Sequence, residues 1–137
     1  MKDTIRLGCG AGFSSDRLGP AVYLAQRGAL DYLVFECIGE RTMAFGHRDR
    51  MLDDSRGYNP QLRARMRAVL GHCRANGTGI VTNMGVANPR AAALVTIEVA
   101  RELGLHGLKV ACVEGDDVTG LITPDTPFMD HPGTVKD

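Results

Sequence analysis

Residues 30–38 read LDYLVFECI, an almost continuous apolar run rich in aromatic and β-branched residues, with Glu36 near its end. A run of this length and composition is the pattern of a parallel strand covered on both faces. Outward from it the chain alternates strand and helix. Upstream, Thr4 to Cys9 reads as a strand that enters the glycine loop Gly8, Gly10, Gly12. A helix follows, with Pro20 in its first turn, Leu18, Val22 and Ala25 at helical spacing and Gly28 as its stop. Downstream, ERTMAFGHRDRMLDD forms a helix weakened at Gly46 by about 1 kcal/mol relative to alanine. Asn59 and Pro60 then open the clearest helix, on which Leu62, Met66, Val69, Leu70 and Cys73 share a face while Arg63, Arg67 and Arg74 project elsewhere. The third strand is GIVTNMG, residues 79–85, followed by a helix that starts at Asn88-Pro89 and reaches Gly104. The fourth is LKVACVE, residues 108–114.

Four strands separated by helices specify an α/β protein: an open parallel sheet of about four strands with alternating helices, a Rossmann-like layer, since parallel neighbours need long crossovers and helices supply them. The expected domain covers residues 1–119. Beyond it, LITPDTPFMDHPGTVKD carries three prolines and no apolar period, so 120–137 is expected to be an irregular tail.

The 137 residues suit one core, and 44% hydrophobic with 23% charged residues is an ordinary globular balance. Sixteen basic and sixteen acidic residues cancel, which removes any global attraction to nucleic acid or anionic membrane. No segment has the roughly 20 apolar residues that span a bilayer. The four cysteines lack the CxxC spacing of a zinc or redox site, and no metal site is expected. Free thiols in a reducing cytoplasm are the simplest expectation.

In an open parallel sheet, ligands bind beyond the carboxyl ends of the strands. The polar residues fall there: Cys9 to Asp16, Glu36 to Glu40, Asn83 to Asn88, and Glu114 to Asp117. The glycine loop has two readings. It can present backbone N–H groups to a phosphate or carboxylate, or it can simply let strand and helix pack closely. Its GxGxG spacing matches neither the dinucleotide fingerprint, because Phe13 stands where the third glycine belongs, nor the P-loop, because the Lys-Ser/Thr pair is missing. Glu36 stands where a nicotinamide-binding sheet contacts ribose, or else is a rim carboxylate. Glu36 and Asp116 are the candidate acid/base groups. Cys9, Gly10, Gly12, Ser14, Ser15, Asn83, Gly85, Asn88 and Asp117 are the candidate ligand-binding residues, with capping as the alternative for Asp117. The arginines of the 60–74 helix read as a solvated face, because no aromatic residues interleave with them.

Five phrases, GCGAGFSSDR, LDYLVFECIGERTMA, RMRAVLGHCRANG, GIVTNMGVANPRAAA and EGDDV, together resemble, in order from about residue 4 to 118, the N-terminal part of the acyclic terpene utilisation (AtuA-like) family, formerly a domain of unknown function. The resemblance implies a role in catabolism of acyclic terpenes or branched acyl compounds, as an enzyme or part of one, on a substrate that is an anionic small molecule or an acyl-coenzyme A. It names no reaction and no cofactor. It also implies that the chain corresponds to the first part of a longer, here incomplete, domain followed by a divergent tail. The alternatives are a non-catalytic subunit or remnant docking to a larger partner, as a homo-oligomer or a complementary subunit, and a dinucleotide-binding module.

Overall fold

The computed structural model describes residues 3–136. Three parallel strands, β1 (Leu7–Ala11), β2 (Tyr32–Phe35) and β3 (Gly79–Thr82), lie in the order β1-β2-β3. Four helices connect and follow them: α1 (Leu18–Arg27), α2 (Glu40–Leu52), α3 (Leu62–Asn76) and α4 (Pro89–Glu102). The molecule is thus α/β with an open parallel sheet.

The local reasons for these boundaries are visible in the side chains. Asn59 Oδ1 accepts from the Gln61 N–H at 2.8 Å and its carbonyl accepts from Leu62 N–H at 2.9 Å, a turn that leads into α3 two residues later than the Asn-Pro pair suggests. At the other end Gly77 adopts φ +67° and the Thr78 N–H closes back on the Cys73 carbonyl, a left-handed stop that glycine alone takes without strain. Asn88 caps α4 by accepting from Ala91 N–H at 3.1 Å, with Pro89 in the first turn.

β1 begins three residues later than expected: its register pairs with β2 start at Leu7, and just before them the Arg6 carbonyl accepts from Asp31 and Tyr32 N–H. The pairing runs Leu7 to Tyr32, Gly8 to Leu33 and Cys9 to Val34, then jumps from Cys9 to Ala11 against consecutive residues Val34 and Phe35. The extra residue is Gly10, a bulge that turns both Gly10 and Ala11 inward. On this inner face Leu33 and Phe35 are buried, and α1 and α3 pack against it through Ala21, Ala25, Met66, Val69, Leu70 and Cys73, while α4 packs on α3 and joins the same core through Val99.

The opposite face differs from the expectation. Leu7, Cys9, Tyr32 and Val81 are exposed there, with Val34 half-buried, so β2 is covered on one face and not on two. The helices that follow β1 and β3 share the inner side, while α2 packs through Gly46 onto Val86 and the Gly57 carbonyl in the loops. An apolar run reads the same whether its outer face meets a helix or nothing, which is why the sequence pattern missed this.

The fourth strand is also absent among the described residues. Residues 108–114 make no ladder with β3. Gly104 and Gly107, both at left-handed φ near +70°, turn the chain away after α4, and Glu114 is tied back to Arg90 at 2.9 Å. The segment therefore passes opposite the free edge of β3 without pairing to it. Beyond it lie one 3-10 turn at Thr119–Leu121 and a single antiparallel bridge between Pro127 and Thr134.

Two of the loop glycines are packing devices. A Cβ at Gly8 would stand 2.4 Å from a Leu30 methyl and one at Gly10 would stand 2.7 Å from the buried Phe35 ring, whereas one at Gly12 would meet nothing within 4 Å. Gly10→Val is expected to destabilise the fold by about 1–3 kcal/mol through overpacking. Gly12→Ala should leave the urea midpoint nearly unchanged. Equal midpoints for the two variants would contradict this division.

Candidate functional site

The carboxyl ends of β1, β2 and β3 lie side by side, and their hydrogen bonds continue past the strands. Glu36 N–H donates to the Ala11 carbonyl at 3.1 Å and Asn83 N–H to the Phe35 carbonyl at 3.4 Å. The Asn83 side chain then locks the end of β2: its Oδ1 accepts from Cys37 N–H at 2.7 Å and its Nδ2 donates to Glu36 Oε1 at 3.0 Å. A backbone N–H only donates and a carboxylate only accepts, so the amide can face one way only. Glu36 Oε1 also accepts from Ile38 N–H at 2.9 Å. These bonds, the Asn83 amide first, hold the exposed Glu36 carboxyl below the usual glutamate range, so it is an anion and an acceptor at neutral pH.

Beside Asn83 opens a cleft of about 790 Å³. Its floor is the edge of β3 with Met66 and Leu70 of α3 and Ala92 and Ala93 of α4, and its far wall is the unpaired segment 108–113. Asn83, Gly85 and Asp116 bring polar groups to this apolar space. The cleft exists because the expected fourth strand does not close on β3. Its rim is rigid: Gly85 approaches Pro89 so closely that a Cβ would stand 2.7 Å from the proline Cα. The next residue, Val86, is held at φ +51°, a costly conformation for a β-branched side chain. The bonds Val86 N–H to Asn83 O, Ala87 N–H to Gly57 O and Asn88 N–H to Gly85 O impose it.

The glycine loop forms a second group. Asp16 turns its carboxylate back to accept from Gly12 N–H at 3.1 Å and Arg17 N–H at 2.7 Å, and these bonds hold its carboxyl below the usual range. The N–H groups that suggested an anion cradle are thus partly taken by the loop's own acid. Beneath the loop lies Arg65, only 1% exposed. Its Nη2 donates to the Asp16 carbonyl at 2.6 Å and to Gln61 Oε1 at 2.8 Å, and its guanidinium lies 5.9 Å from the Phe35 ring centroid. Buried Asn59 donates to Ser14 Oγ at 3.0 Å.

Arg65 and Asn59 are the residues that sequence reasoning missed. The signal for Arg65 was present: it stands three residues after Leu62 and four before Val69, on the apolar stripe of α3 and away from the solvated face. By contrast Arg63 and Arg67 do face outward, where they pair with Glu98 and Glu102 of α4.

The remaining candidates are dispersed. Cys9 is exposed on the uncovered sheet face, and Gly10 is buried against Phe35. Ser15 is exposed on the loop. Asn88 serves as a cap and donates to the Asp54 and Arg56 carbonyls at 2.7 and 2.8 Å. Asp117 accepts from Thr119, which keeps its carboxyl low. Among the described residues no three His, Cys, Asp or Glu side chains converge as a metal site. No helix among them is long and apolar enough to cross a membrane.

The model of the family described as "Acyclic terpene utilisation family protein AtuA" matches residues 5–131. The chain belongs to this family. All five phrases singled out in the sequence fall inside the match, and the AtuA pattern continues through residue 131, into the tail expected to diverge. Membership of the AtuA family associates the chain with acyclic terpene utilisation and specifies no reaction. No curated protein and no solved structure matches the chain.

Glu36 titrates low when folded, so its contribution to stability is present above the ordinary glutamate range and is lost as pH falls through its lowered value. Melting temperature followed against pH should show this loss in the wild type. In Asn83→Ala, which removes the main cause of the shift, the Glu36 part of that acid slope should shrink; an unchanged slope would show that the Asn83 bond is not its source.

Proposed function

We propose that the chain serves acyclic terpene utilisation by holding a branched acyl chain, as the free acid or its coenzyme A thioester, in the cleft between β3 and residues 108–113. The observation that carries this reading is the cleft itself. At about 790 Å³ it falls in the size range of small-molecule sites, and it combines apolar walls with a few polar groups at one end. The fixed Asn83 amide supplies a donor or acceptor for the acyl head group. Asp116 faces the same space, and Glu36 is an ionised carboxylate directly behind Asn83. In this reading the two acids are the acid/base pair of the reaction.

The dinucleotide reading has less support. Gly8 and Gly10 are filled against Leu30 and Phe35, and the Gly12 amide is held by Asp16, so the loop offers a pyrophosphate little free backbone.

The cleft reading is tested by calorimetric titration with citronellate, compared with a straight-chain acid of the same length. Wild type is expected to bind citronellate more tightly. Ala93→Trp, which fills the cleft from α4, should weaken binding at least about tenfold, the equivalent of about 1.4 kcal/mol. Unchanged affinity in Ala93→Trp would refute the cleft as the acyl site. Where turnover of an acyl substrate is measurable, Glu36→Gln should lower turnover much more than affinity, because it keeps the shape and removes the charge.

A further inference from the structure

Arg65 is a buried cation that no carboxylate contacts directly. Its Nε and Nη1 are both sealed from solvent and have no hydrogen-bond partner. No carboxylate of the described residues forms an ion pair with it, and its Nη2 bonds go to the Asp16 carbonyl and the neutral Gln61 amide, with the Ser14 carbonyl at the 3.5 Å limit. The Asp16 carboxylate lies near enough to feel the Arg65 charge, but its hydrogen bonds go to the Gly12 and Arg17 N–H groups. A guanidinium taken out of water with unmatched N–H groups is unfavourable unless something completes it.

The glycine loop touches Arg65 through the Ser14 and Asp16 carbonyls. Within residues 12–16, Gly12, Phe13 and Ser15 are exposed and Ser14 and Asp16 half-buried. A side chain at Gly12 would meet nothing, so the loop is not wedged in place there. Its inward ties include the Nη2 bonds of Arg65 and the bonds from Asn59 Nδ2 to Ser14 Oγ at 3.0 Å and to the Ser14 carbonyl at 3.4 Å. Asn59 and Arg65 both stand on rigid supports, the turn before α3 and α3 itself.

We propose that Arg65 is the receptor for the carboxylate of a small organic acid, which enters beneath residues 12–16 when this loop lifts. The planar guanidinium presents N–H groups in the fork geometry that a carboxylate matches, and one negative charge neutralises the site. Asn59 Nδ2, released from Ser14, provides a further donor. The aromatic ring of Phe35 lies against the guanidinium and leaves its N–H edges as the polar approach. This site is separate from the acyl cleft, whose walls include neither Arg65 nor the glycine loop, and it does not depend on the cleft being occupied.

The test is a titration of the ¹⁵N-labelled chain with isobutyrate, and in parallel with inorganic phosphate, reading the Arg65 Nε–H signal and the backbone amides. The expected result is a saturable shift of Arg65 Nε–H together with the amides of residues 12–16. Arg65→Lys, which keeps the charge and loses the fork, should bind isobutyrate at least about tenfold more weakly. Arg65→Met should lose binding. If Arg65→Met does not fold, the wild-type Nε–H titration decides alone. An Nε–H signal unmoved by isobutyrate would overturn the proposal, as would stronger binding of phosphate than of isobutyrate. Shifts confined to Asn83, Gly85 and the cleft amides would also overturn it, while leaving the acyl-cleft reading intact.

Discussion

The inner face of β1 carries no side chain larger than a methyl group, and the arrangement of the sheet end follows from that. Gly8 leaves the space that Leu30 fills, and Gly10 leaves the space that the Phe35 ring fills. With those volumes supplied by β2 and its approach, α1 can lie against β1 through the small residues Ala21 and Ala25. The Phe35 ring, displaced toward β1, becomes the surface against which the Arg65 guanidinium rests. A side chain at Gly10 would therefore disturb the core and the charge beneath the loop together.

The second organising element is the way polar groups extend the ladder after the strands end. β2 and β3 are only four residues each. Beyond Phe35 and Thr82 the Asn83 amide replaces the backbone pairing, bridging Glu36 and Cys37 N–H. Thr82 Oγ1 reinforces this by donating to the Phe35 carbonyl and accepting from Met84 N–H. Because side chains rather than more strand hold the chains here, the backbone can diverge immediately afterwards. That divergence opens the cleft.

Several helix boundaries set by a local residue were legible: Asn88 with Pro89, the Pro20 turn and the stop at Gly28 all appear in place, whereas α3 starts after the Asn59-Pro60 pair expected to open it. The third strand and its polar end at Thr82-Asn83 were legible for the same reason, a composition change within a few residues. What could not be read were features decided by the partner of a segment. LKVACVE has the composition of a strand, yet strand formation needs a neighbour in register, and the glycines after α4 direct the segment elsewhere. LDYLVFECI is apolar throughout, yet which side the helices choose is a matter of tertiary placement. Arg65 was read with its neighbours as part of a charged helix face, although its position on the stripe assigned it to the interior. Of the residues proposed for a site, Asn83, Gly85 and Asp116 share one cleft and Ser14 lies on the loop above Arg65, while Cys9 and Asn88 lie elsewhere.

The four thiols divide between the two sides of this architecture. Cys9 and Cys112 are exposed, one on the uncovered sheet face and one at the cleft wall. Cys37 and Cys73 are buried, and burial pushes both thiols up, away from the reactive thiolate. A thiol reagent therefore meets two kinetic classes in a chain that needs no added label. The fast class reports accessibility of the native surface. The slow class reports opening, and it does so at two separate places: Cys37 at the strand ends beside Glu36, and Cys73 in the packing between α3 and the sheet. Alkylation rates at these two sites would distinguish a local loosening of the strand ends from a global unfolding of the core.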